Sequence, residues 1–123
     1  MKQLTIAAVA LFVATAAQAH QWTPTYPKFE KSYVEGVVVT TMKLFNKRFD
    51  VEFYEINVYD EKWNPIKFAT ATKIVEVGYL ERKNIDIYVL EEDCDRIKYI
   101  CTVSKLLADD DGNGVNSRIC SKV

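Results

Sequence analysis

A single histidine, His20, stands in the 123 residues, and that scarcity removes most histidine-dependent acid–base, nucleophilic and zinc chemistry. No C-x-x-C pair occurs among the three cysteines, which excludes the usual dithiol redox motif. Four glycines are scattered without a phosphate-cradling pattern. Neither sign of charge dominates: 16 Lys plus Arg stand against 17 Asp plus Glu, so no broad basic field exists for a nucleic-acid backbone or an anionic membrane. No internal repeat, low-complexity linker or sustained 3.6-residue period is present. What remains, with 49% apolar residues, is enough for one small core.

Residues 1–19 read as a secretory signal peptide, with Lys2 as the positive end, an apolar run from Leu4 to Ala14 and Ala17-Gln18-Ala19 as a small-residue cleavage site. The apolar run is shorter than the roughly 20 residues that span a bilayer, so the chain is not expected to cross a membrane. The expected destination is the periplasm or the exterior. Both are oxidising, and Cys94, Cys101 and Cys120 are therefore read first as disulfide candidates.

Residues 20–32 carry two of the three prolines with Trp22, Tyr26 and Phe29, a composition that suits an extended arm. Its rings suit either packing on the domain's own surface or strapping a partner. Residues 33–123 then show β-branched and alternating runs broken by polar joints. Strands are expected at 36–44, 49–60, 72–79, 85–90, 96–104 and 115–123, with an extended stretch at 68–72. Residues 49–60 alternate in two phases, which a bulge near Phe53 would reconcile. The expectation is an all-β, immunoglobulin-like β-sandwich of about seven strands.

Asp95, Tyr99 and Cys101 have the D-x-x-x-Y-x-C spacing of an immunoglobulin F strand, where the tyrosine hydroxyl bonds nearby backbone at a sheet corner. No cysteine precedes Cys94, so the antibody-type bridge between sheets is excluded. More broadly, residues 42–61, 65–68, 73–89 and 95–104 resemble the N-terminal immunoglobulin-like domain of PapD-like periplasmic pilus chaperones. The shared features are an early strand ending near an Asn, a long strand ending in a tryptophan-bearing loop, and a later strand with a D-R-x-x-x-Y-like pattern. The resemblance implies a sandwich that handles another protein. Those chaperones hold a subunit's terminal carboxylate in a cleft between two domains, and a single domain has no such cleft. Arg48, Lys105 and Arg118 are thus assigned no anchoring role. The stretches at 22–27 and 117–123 are similar to small secreted proteins of tailed bacteriophages, a likeness that implies no activity.

If the last two strands form a hairpin, Cys101 and Cys120 lie symmetrically about Asp110 and Asp111, and a cross-strand disulfide follows. Cys94 is left over, and its acidic neighbours Glu91, Glu92, Asp93 and Asp95 disfavour its thiolate. Asp109, Asp111 and Asn113 occupy the first three ligand positions of an EF-hand-like loop, and the turn at Gly114 would bring in the carbonyl of Val115. The bidentate Glu that should close such a loop is replaced by Cys120. Calcium thus stands beside the plain hairpin turn, which is the favoured reading and needs no cofactor. Cleavage after Ala19 would leave His20 as half of a copper brace with no second imidazole.

The leading expectation is a secreted, non-enzymatic β-sandwich that binds or helps assemble another protein through a strand edge or the Trp22–Phe29 arm. On that view, deleting residues 20–30 abolishes capture without unfolding the domain. The alternative is a structural or adhesive module of a virion or cell surface, with calcium as a possible stabiliser.

Overall fold

The computed structural model describes residues 20–105 and 117–123. Among the described residues eight strands form in this order: β1 His20–Thr23, β2 Glu30–Lys31, β3 Val37–Asn46, β4 Phe53–Asp60, β5 Ile74–Glu76, β6 Arg82–Leu90, β7 Ile97–Lys105 and β8 Arg118–Lys122. A 3₁₀ turn at Glu91–Arg96 connects β6 to β7. The strands make two antiparallel sheets, an all-β sandwich. Sheet one joins β1 and β2 to one side of β3 and β6 to the other; sheet two runs β5-β4-β7-β8. In immunoglobulin lettering the first sheet holds A, B and E and the second C, F and G, with β5 added beside C.

The period of two in the sequence places the core. In β3, Val38, Thr40, Met42, Leu44 and Asn46 point inward; in β6, Ile85, Ile87 and Val89 do so; in β4, Tyr54, Ile56 and Val58. Four expectations change. The strand expected from Phe49 begins only at Phe53, because residues 47–52 form a loop that Asn46 holds, and the irregularity in β4 falls between Tyr59 and Asp60 rather than near Phe53. Val51 is buried from that loop, which explains the apparent second phase. The strand expected at 72–79 shrinks to three residues. Tyr99 faces outward on β7 beside Cys101 and makes no hydroxyl bond to backbone among the described residues, since Ile100, Thr102 and Ser104 take the inward positions.

The register of β7 on β8 pairs Cys101 with Cys120 directly, and the two are bridged, S–S 2.04 Å. The Ser104 N–H bonds the Ser117 carbonyl, so by alternation 101 and 120 form a non-hydrogen-bonded pair, the close-approach class that a cross-strand disulfide requires.

One seam of the sandwich is closed by residues 20–25. β1 pairs with the end of β3, and the same residues reach into sheet two. The Trp22 indole N–H donates to the Ile100 carbonyl at 3.0 Å, His20 Nε2 meets Thr102 Oγ1 at 2.8 Å, Ser121 Oγ donates to the Pro24 carbonyl at 2.7 Å, and the Lys122 N–H donates to Thr25 at 3.0 Å.

Candidate functional site

The opposite seam is built differently. After β4 the chain turns at Asp60–Asn64, where the Asp60 carboxylate accepts the Lys62 and Asn64 N–H groups at 2.9 and 2.8 Å. It then bonds back to β4 at Ile66 and crosses to β6 at one residue: Ala69 and Tyr88 exchange both backbone hydrogen bonds at 2.8 Å. Beyond Thr70 the chain returns to sheet two, where the Ile56 N–H bonds the Lys73 carbonyl and β5 pairs with β4. Strand β6 therefore loses its outer neighbour after Tyr88. Backbone N–H and C=O groups point to alternate sides of a strand, and those of Tyr88 point away from β3. Those of Asp86 and Asn84 do the same and meet no strand among the described residues.

A groove of about 470 Å³ lies beside this open edge, lined by Thr70, Ala71, Thr72, Val75, Lys83 and Asn84 with Ile85, Asp86 and Tyr88 completing it. Val75 and Ile85 are buried and supply apolar floor, while Asn84 and Asp86 are exposed at the rim. The rim is partly fixed: Lys83 Nζ donates to the Glu76 carbonyl at 2.6 Å, and Asp86 Oδ1 accepts from Thr41 at 2.6 Å. Thr70 Oγ1 is buried in the groove wall with no hydrogen-bond partner. A buried, unsatisfied hydroxyl costs about 1–3 kcal/mol, so its occurrence beside an unpaired strand edge is informative. On the other side of the Ala69 bridge a smaller apolar cleft of about 180 Å³ is lined by Val37, Phe68, Val89 and Leu90.

Of the arm residues, Trp22 lies in the core, Phe29 is half-buried against it and Tyr26 is exposed. Deleting residues 20–30 would remove β1 and the Trp22 anchor, so the expectation that the domain survives this deletion is withdrawn. The calcium-loop residues Asp109, Asp111, Asn113 and Val115 lie outside the described residues. Cys94 is a free, half-buried thiol in the 3₁₀ turn; burial first, then the Asp95 and Glu91 carboxylates, push its thiol up. In the same turn Arg96 pairs with Asp93 at 2.6 Å.

Two further clusters are bonded within themselves, except that His20 Nδ1 is buried with no partner among the described residues. Buried Asn46 donates to the Val51 and Val77 carbonyls at 2.7 and 2.8 Å and accepts from the Arg48 N–H and the Tyr54 hydroxyl, which uses its full bonding capacity and ties two loops to β3. Burial above all pushes the Tyr54 hydroxyl up to about 12. Beside it His20 is held near 4 by burial first and the Arg48 charge second, so the ring is neutral at ordinary pH. At the other end, Trp63 stacks on Tyr99 at 4.1 Å and 4°, with Arg118 4.8 Å from its ring centre. Trp63 holds φ 65 in a loop position where glycine is the usual choice.

The sequence does not show which strand carries the expected open edge, because β6 alternates in the same way whether its outer side is paired or bare. The one available signal is the run Ala69-Thr70-Ala71-Thr72, too short and too small-sided to serve as a core strand. No protein-family model and no curated protein matches the chain.

Proposed function

We propose that the chain is an exported, non-enzymatic protein-binding or assembly module that receives an extended segment of another polypeptide along the β6 edge. The observation that carries this reading is the unpaired outward backbone at Asn84 and Asp86 beside a groove with an apolar floor. An added strand satisfies those groups by main-chain hydrogen bonds, while side chains at alternate positions supply selectivity. The leader-like residues 1–19 and the Cys101–Cys120 bridge are consistent with an oxidising compartment, and the PapD-like sequence pattern favours a protein as the ligand.

Site-specific photo-cross-linking tests the reading in the exporting cell. A photoreactive side chain at position 84 is expected to capture a discrete protein, and one at position 122, on the closed seam, is not. Equal capture from both positions, or none from 84, overturns it.

A further inference from the structure

The register at Ala69 says more about the bound segment than that it is extended. Ala69 pairs antiparallel with Tyr88, so had the chain continued along β6, residue 71 would face Asp86, residue 72 would face Ile85 and residue 73 would face Asn84. Instead residues 70–73 leave for sheet two, and among the described residues nothing fills these three places while the groups that would serve them remain: outward N–H and C=O at 86 and 84, and the inward Ile85 side chain lining the groove with Val75.

We propose, resting on the reading of the β6 edge as the binding site, that the groove selects an antiparallel segment of polar–apolar–polar pattern in those three places. The two outer residues exchange backbone hydrogen bonds with Asp86 and Asn84, and their side chains lie on the solvent face beside those of β6. The middle residue directs an uncharged apolar side chain between Ile85 and Val75. Because β6 runs from 82 to 90, an antiparallel segment has its N-terminal end against Thr70, and rotation about χ1 turns its buried, unpartnered Oγ1 toward the incoming backbone. The groove's size is of the order that a few residues fill, and its rim side chains are already engaged, Lys83 by the Glu76 carbonyl and the Glu81 carboxylate and Asp86 by the Thr41 hydroxyl. Charged middle residues are therefore excluded by the desolvation cost of the apolar floor.

The test uses the whole mature chain and blocked Lys-Thr-Xaa-Thr-Lys peptides with Xaa as Ala, Val, Leu, Phe or Asp. Binding is followed by the amide chemical shifts and hydrogen exchange of Asn84 and Asp86. The apolar peptides are expected to protect both amides and the Asp peptide to fail. N-methylating both Thr residues, whose N–H groups face β6, is expected to weaken binding by about tenfold or more, whereas N-methylating Xaa leaves it within about threefold. Thr70→Val is expected to weaken the best peptide about fivefold in a chain that remains folded.

Equal sensitivity to the two methylations, the reverse order, or no protection by any apolar peptide overturns the proposed register and pattern. If position 84 still captures a protein in the cell, the open-edge reading stands and only this inference falls. If neither occurs, both fall. Concentration-dependent dimerisation that protects Asn84 and Asp86 without peptide overturns the proposal in favour of a second copy as the occupant.

Discussion

Along one seam of the sandwich, residues 20–25 belong to both sheets at once: β1 is a strand of sheet one, yet its Trp22 and His20 side chains and the Pro24 and Thr25 carbonyls bond to β7 and β8. Along the other seam, residues 64–76 exchange backbone hydrogen bonds with β6 at Ala69 alone among the described residues and then return to β4. The shorter segment thus closes its edge and the longer one leaves its edge open. The difference lies in side-chain size. Trp22 spans the gap between sheets and finds a carbonyl at its far side, whereas Ala69-Thr70-Ala71-Thr72 has nothing long enough to reach across, so its backbone must choose one sheet. An edge left bare in this way is an aggregation liability unless it is used.

The comparison breaks most visibly at Trp22. Trp22→Ala removes a large ring that is 4% exposed and its indole bond to the Ile100 carbonyl, at an expected cost of about 3–5 kcal/mol in urea unfolding. A loss below about 1 kcal/mol would mean that the closed seam is not held by this residue.

His20 gives the closed seam a pH dependence. Its folded pKa of about 4 lies below the ordinary value of 6.5, so the unfolded chain takes up a proton that the folded chain refuses. The contribution is complete above pH 6.5 and declines as pH falls toward 4, by up to about 3 kcal/mol. His20→Gln should flatten that limb, checked by unfolding midpoints between pH 7 and pH 4. A limb that persists unchanged would assign it to carboxylates instead.

A proline pair sharpens the contrast between the two sides of β6. Lys83 and Asn84 are both exposed neighbours, but the N–H of Lys83 lies on the β3 side and that of Asn84 on the bare side. Lys83→Pro is expected to cost about 3 kcal/mol, and Asn84→Pro less than about 1 kcal/mol, measured by thermal unfolding. Equal costs would show that the edge at 84 is paired in solution.

How far the sequence foretold all this depends on whether the information is local. The two-layer fold was readable because alternation in β3, β4 and β6 matches their buried faces. The Cys101–Cys120 pairing was readable because hairpin symmetry needs no tertiary knowledge. Trp22 was not resolved between core and strap, since a ring in a proline-rich arm shows nothing of the distant carbonyl that anchors it. An exposed strand edge was expected, but which strand would carry it was not readable, because the open edge consists of a partner strand that fails to arrive. Asn46 was seen only as a strand end; its four bonds depend on loops brought together by both sheets.

The smallest expected effect is the most discriminating. Thr70→Val keeps shape and volume while removing the one hydroxyl in the groove wall that has no partner. Two other buried hydroxyls are bonded: Thr102 meets His20, and Ser121 donates to Pro24, so their replacement should destabilise by about 1 kcal/mol. At Thr70 no hydrogen bond is lost and an unsatisfied polar atom is removed, so the free chain should gain roughly 0.5–1 kcal/mol in urea unfolding. A chain that becomes more stable yet holds an extended peptide less tightly would identify the hydroxyl as a cost borne for binding. If Thr70→Val destabilises as Thr102→Val does, the hydroxyl has a partner in the free protein and the groove is less bare than its walls imply.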